Sequence, residues 1–155
     1  MDIIIGIGEY GISNNSNDVL KTFALASCVA VTFHCKTNKV SGMIHIALPA
    51  SSDNSYIDKP SYYASIGIPL IVNELTIKYG CLKNNISAQL FGGANSIKEN
   101  DYFNIGEKNI KAVKYILNEL GIKVEKINVG GLVSRSLEMD VLSGNIKVST
   151  QPIKI

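Results

Sequence analysis

Cys28 and His45 are the residues whose types and spacing suit covalent chemistry, because an imidazole beside a thiol can take its proton and leave a nucleophile for an acyl carbon. From Cys28 to Cys35 the chain alternates, with Val29, Val31, Phe33 and Cys35 on one face and Cys28, Ala30, Thr32 and His34 on the other. Lys36-Thr37-Asn38-Lys39 then reads as a hairpin turn. A two-residue loop at Thr37-Asn38 sets Lys36 opposite Lys39, Ala30 opposite His45 and Cys28 opposite Ala47. Opposed residues share a face, so Cys28 and His45 become diagonal neighbours with backbones about 7 Å apart. A slip of one residue would separate them. Cys35 falls with the apolar set and reads as a core thiol. On residue type alone, a buried thiol and a polar surface imidazole are the commoner fates of such a pair.

Two other motifs fail on context. Gly6, Gly8 and Gly11 match the G-x-G-x-x-G dinucleotide pattern, but Ile12 to Asn17 is a polar turn sequence where a helix N-terminus would have to receive the pyrophosphate. The glycines read instead as punctuation of a strand and turn. Cys28, His34, Cys35 and His45 lie close in sequence without a C-x-x-C or H-x-x-x-H pair, so no metal is expected. No cofactor is expected either. Three cysteines at irregular spacing argue against a disulfide framework and for a reducing compartment.

The elements that must position the pair follow from periodicity. Ile3–Ile7, Cys28–Cys35 and Val40–Leu48 are rich in β-branched residues and read as strands. Ser51 to Pro60 is a polar surface loop. Tyr62–Tyr79 has helical spacing closed by Gly80, with Pro69 marking either a kink or the true first turn. Ile86–Leu90 is a strand interrupted at Gly92-Gly93. Ile105–Leu120 is an amphipathic helix with Ile110, Val113, Leu117 and Leu120 on one side, and Val124 to Val148 holds two or three strands around a Ser143-Gly144-Asn145 turn. Gly92-Gly93 and Gly130-Gly131 read as tight backbone turns without a catalytic role. The pattern predicts an α+β fold, a layered sandwich of mixed β-sheets with two main helices packed on one side. At 155 residues, one domain over residues 1–155 is expected.

Composition excludes several classes. Apolar residues at 46% with charged residues at 18% describe a folding chain. Fifteen basic against thirteen acidic residues, without a basic block, leave no footprint for DNA or RNA. The apolar stretches are far shorter than the roughly 20 residues that span a bilayer, and the N-terminus lacks a secretory pattern, so a cytoplasmic protein without membrane insertion is expected.

The wording around the pair is Thr22-Phe23-Ala24-Leu25-Ala26-Ser27-Cys28-Val29-Ala30-Val31, followed by Gly42-Met43-Ile44-His45-Ile46-Ala47-Leu48-Pro49. It resembles the CheD family of bacterial chemoreceptor glutamine deamidases, whose motif runs close to T-L-G-L-G-S-C-V-A-V and then G-x-M-A-H-x-M-L-P. The resemblance continues through Gly6 to Tyr10, Asp58 to Leu75, Ala88 to Ala94, Asn104 to Asn109 and Val129 to Arg135. It implies a catalytic cysteine at Cys28, a histidine at His45 and a supporting threonine at Thr22. It implies hydrolysis of glutamine side chains on the cytoplasmic helices of chemoreceptors to glutamate and ammonia, through a thioester. It also implies docking with a CheC-type phosphatase, which makes a chiefly regulatory protein the alternative. Ala24 and Ala26 stand where the family usually has glycine. Of the two, Ala26 is expected to matter more, by narrowing the approach to Cys28 or forbidding a positive φ.

Overall fold

The computed structural model describes residues 1–51, 59–95 and 104–153. Strands β1 (Asp2–Ile4), β3 (Val19–Leu25), β8 (Val133–Asp140) and β9 (Ile146–Pro152) lie side by side in that order, with β1 parallel to β3 and the other pairs antiparallel. A second sheet has the order β2 (Tyr10–Ser13), β5 (Val40–Ile46), β4 (Val29–Cys35), β6 (Ile86–Gly92) and β7 (Lys123–Val129). Among the described residues its only parallel neighbours are β6 and β7.

Helices α1 (Ala64–Ile77) and α2 (Ile105–Glu119) are the crossovers that this order requires. β5 and β6 both run antiparallel to β4 and are therefore parallel to each other, joined by α1, while α2 joins parallel β6 and β7. Both crossovers advance in the same direction across the sheet, so one handedness places both helices on one face. There Val31, Phe33 and Cys35 pack with Ile71, Val113 and Leu117. On the opposite face Ala30, Met43 and Phe91 pack against Leu20, Leu25 and Leu137 of the other sheet. The layers are thus helices, five strands and four strands. Covering the central sheet on both faces explains why β4 and β5 read as nearly unbroken apolar runs.

The expected α+β layered sandwich, with two helices on one side, is the observed one. The hairpin register is also as expected, with Cys35 opposite Val40 and Ala30 opposite His45. Several elements differ. β2 takes Ile12 and Ser13 from the expected turn, β3 lies where no strand was expected, and β6 continues through Gly92. Pro69 sits inside α1, which continues through it; the N–H it lacks would have faced the carbonyl of Ser65, an exposed residue. Of the expected loop from Ser51 to Pro60, residues 52–58 lie outside the described residues, and Pro60–Tyr62 forms a 3-10 turn.

Candidate active site

Cys28 lies in the connection between the two sheets, where the chain leaves β3 and enters β4. β3 ends in a bulge: Thr22 faces Leu137 and Leu25 faces Arg135, so three steps on β3 oppose two on β8. Ala24 in that bulge has φ of +56°, and its N–H donates to Ser136 Oγ at 3.1 Å. The strained alanine is therefore Ala24, and Ala26 has no positive φ. A Cβ in the left-handed region costs about 1–2 kcal/mol, while glycine costs about 0.5–1 kcal/mol in extra unfolded-state freedom. Ala24→Gly is therefore expected to raise stability by about 0.5–1 kcal/mol, read as a higher urea midpoint. A lower midpoint would contradict the strain.

The loop after the bulge is tied down through its carbonyls. Ala26 O accepts the N–H of Ala94 at 2.7 Å, Cys28 O accepts that of Gly93 at 2.8 Å, and Ser27 O accepts Nδ2 of Asn109 at 3.0 Å. Gly92, with φ of +103°, closes from beneath: a Cβ there would lie 2.2 Å from Cys28 O. Gly92 is thus required by a close approach to the Cys28 loop as well as by its backbone angle. The N–H groups of Ser27 and Cys28 donate to none of the described residues.

His45 is fixed from both sides. Its backbone N–H donates to Glu9 O at 3.1 Å and its carbonyl accepts from Gly8 at 2.9 Å, so the glycine-punctuated turn before β2 serves as its support. Its Nδ1 lies 2.7 Å from Thr22 Oγ1, which reaches across from the other sheet. The Thr22 hydroxyl donates to Ile5 O at 2.7 Å, so it can only accept from the ring, and Nδ1 carries the proton. The unprotonated Nε2 is buried without a hydrogen-bond partner among the described residues. An unsatisfied buried acceptor costs about 1–3 kcal/mol, which marks a group held for a ligand or proton.

Burial dominates the electrostatics. His45 is 2% exposed, and loss of hydration lowers its pKa to about 4. The same cause raises the thiol of half-buried Cys28. The resting pair is therefore neutral thiol and neutral imidazole. Because His45 in the unfolded chain titrates near 6.5, unfolding takes up a proton below that value, and the stability contributed by neutral His45 is lost as pH falls from about 6.5 to 4. The loss is on the order of 3 kcal/mol. Urea unfolding at pH 7 and pH 4.5 is expected to show a steeper decline in the native protein than in His45→Gln; equal declines would rule out the buried neutral ring.

Cys28 and His45 share the inter-sheet face, as the hairpin register requires, and Thr22 completes a chain of contacts from Ile5 O to the imidazole. The thiol makes no hydrogen bond with Nε2 in this arrangement.

Residues 47–150 match the family model described as CheD chemotactic sensory transduction, a stretch that begins just past His45. A protein of Syntrophotalea carbinolica named "Probable chemoreceptor glutamine deamidase CheD" is 41% identical over 152 residues, covering 96% of this chain and 93% of its own. The chain belongs to the CheD family. A Thermotoga maritima protein named "Chemoreceptor glutamine deamidase CheD" is 38% identical over 148 residues, covering 96% of this chain and 91% of its own. The solved Bacillus licheniformis hypothetical protein YfiH is similar in fold, with a TM-score of 0.52 and 15% identity over 77% of this chain, which spans about half of that structure, 49%.

The remaining polar groups of this CheD chain divide clearly. Cys35 and Cys81 are buried in the helix-side core, and burial together with hydrogen bonding to Cys35 pushes the Cys81 thiol up to about 12. A cavity of about 740 Å³ opens between the sheet edges near His34, Gln89 and Asn128 and does not include Cys28. Arg135, 5% exposed, donates to Asn128 Oδ1 at 2.9 Å, Gly130 O at 2.8 Å and Gly92 O at 3.4 Å, bracing the strand ends behind the Cys28 loop. Neither Arg135 nor Asn109 stands out by type. Asn109 was nevertheless detectable as the one polar residue in the buried stripe Gly106, Asn109, Val113 and Leu117 of α2.

Proposed function

We propose that this chain, as one domain, hydrolyses the side-chain amide of selected glutamines on chemoreceptors, with Cys28 as nucleophile, His45 as general base and acid, and Thr22 as the group that orients the imidazole. The observation that carries this reading is the buried, unprotonated Nε2 of His45, without a hydrogen-bond partner among the described residues and held in that tautomer by Thr22, on the same face as a half-buried thiol. The relatives named as chemoreceptor glutamine deamidases support a receptor glutamine as the substrate.

The neutral pair dictates the order of events. As the amide carbon approaches, His45 Nε2 removes the Cys28 proton and sulfur bonds to carbon, while the carbonyl electrons move onto oxygen. The N–H groups of Ser27 and Cys28, which have no acceptor among the described residues, are the donors for that oxyanion, each worth roughly 3 kcal/mol in comparable sites. The protonated imidazole returns its proton to the amide nitrogen, the C–N bond breaks and ammonia leaves a thioester. Water gives a proton to Nε2 and attacks the same carbon; collapse of the second intermediate breaks the C–S bond, the departing sulfur takes the proton back from Nε2, and glutamate is freed with the neutral thiol and imidazole restored. No step calls for a cofactor.

Incubating the protein with a receptor cytoplasmic fragment is expected to release ammonia and to raise the fragment mass by about 1 Da per site, the nominal amide-to-acid difference. A fragment unchanged in mass after prolonged incubation would refute the assignment. Docking of a CheC-type phosphatase, the other role the resemblance implies, would be read as inhibition of that conversion. Among the described residues no helix is long and apolar enough to cross a membrane.

A further inference from the structure

The three carbonyls of the 26–28 loop are all anchored by one place in the fold, the junction of β6 with the first turn of α2. Gly93 and Ala94 supply two donors, and α2 lies directly on them: a Cβ on Gly106 would meet Ala94 O at 2.4 Å and Gly93 O at 2.6 Å. The third donor is a side chain. Asn109, fully buried, gives one Nδ2 hydrogen to Ser27 O at 3.0 Å and the other to Ala47 O at 2.9 Å. Ser27 immediately precedes Cys28, and Ala47 lies two residues beyond His45. Asn109 is therefore the side chain that joins the backbone beside the thiol to the backbone beside the imidazole.

The Ser27 carbonyl and the Cys28 N–H belong to one trans peptide and point in opposite directions. Whatever fixes the carbonyl fixes the N–H, and a hydrogen bond to the carbonyl also polarises the peptide and strengthens the N–H as a donor. Exchanging the amide oxygen and nitrogen of Asn109 would turn its oxygen toward two carbonyls, so the donor assignment follows from the network. Its Oδ1 is left buried with no partner among the described residues, a cost that packing alone does not repay. We infer that Asn109 is a positioning residue for acyl transfer: it aims the Cys28 N–H at the developing oxyanion and sets the spacing between the Cys28 and His45 segments. The inference rests on the reading of Cys28 as nucleophile and not on which amide it attacks.

Two reactions of the full-length protein separate this role from a structural one. Acylation of Cys28 by p-nitrophenyl acetate passes through a tetrahedral oxyanion, whereas alkylation by iodoacetamide does not. Asn109→Ala is expected to slow acylation about 10- to 100-fold, part of the about 10²- to 10³-fold worth of a complete oxyanion donor, with alkylation changed by less than about threefold. If the alanine variant does not fold, Asn109→Asp keeps the shape without the donors and is expected to give the same split. Acylation at the native rate, or acylation and alkylation falling together, would overturn the role, as would a native protein that alkylates at Cys28 and does not acylate. If the split appears in a protein that leaves receptor fragments unmodified, the inference stands and the deamidase reading fails.

Discussion

Cys28→Ala is expected to lower receptor deamidation by at least about 10⁴-fold, because loss of the nucleophile in a hydrolase of this kind leaves only the binding and oxyanion contributions. The fold should survive it. Cys28 is half-buried against the inter-sheet core, so the lost sulfur removes little packing, and the loop is held by backbone carbonyls that alanine retains. Alanine at either of the other two thiols has the opposite signature. Cys35 and Cys81 lie in the helix-side core, and truncating either is expected to cost about 1–2 kcal/mol in urea unfolding without changing conversion per folded molecule. Mass analysis of the receptor fragment across the three variants decides the matter: conversion by Cys28→Ala at the native rate would remove Cys28 from the mechanism and the thioester with it. Cys28→Ser is expected to be almost as inactive, since an alcohol is far less acidic than a thiol and the buried imidazole is a weak base.

How far the site was legible depends on which contacts are local. The pairing of Cys28 with His45 comes from a single hairpin, which turns over Lys36–Lys39 and closes at Cys35 opposite Val40 in the expected register, and its faces follow from strict alternation, so the sequence sufficed. Thr22 was different. β3 reads Val-Leu-Lys-Thr-Phe-Ala-Leu, its alternation is broken by the bulge at Ala24, and its contact with His45 crosses between sheets, so only the family resemblance placed it. The same bulge puts the positive φ at Ala24 and not at Ala26, and no spacing in the sequence marks that choice. The protonation states were the least accessible. A cysteine beside a histidine suggests a thiolate stabilised by an imidazolium, but that inference assumes a polar surround. The four-stranded sheet covers this face with Leu20, Leu25 and Leu137, and removing water disfavours both charges. Desolvation is a property of the packed layers, and no spacing in the sequence encodes it.

That desolvation gives the second large effect. In the proposed mechanism the reactive form is neutral imidazole with intact thiol, which predominates from the His45 pKa of about 4 upward to the raised thiol pKa. kcat/KM on the receptor fragment is therefore expected to climb with pH through about 4 and then stay level through neutrality, because the proton is lost from Cys28 only as the substrate arrives. Alkylation of Cys28 should behave differently, rising only as pH enters and passes the ordinary thiol range, since iodoacetamide needs thiolate already formed. His45→Gln removes the base. It is expected to cut neutral-pH conversion by about 10²- to 10⁴-fold and to replace the level region with a rate that grows with pH as solvent ionises the thiol. Thr22→Val leaves the ring in place but deprives Nδ1–H of its acceptor, so the proton can move to Nε2 and block the position that must receive the Cys28 proton. Its expected cost is about 10- to 100-fold in kcat with KM little changed, as for a group that aligns a base without touching substrate. Alkylation of native Cys28 that is already maximal near pH 6 would mean a preformed ion pair. In that case His45 would be charged at rest, Thr22 would be orienting an imidazolium, and the proton inventory above would have to be reversed.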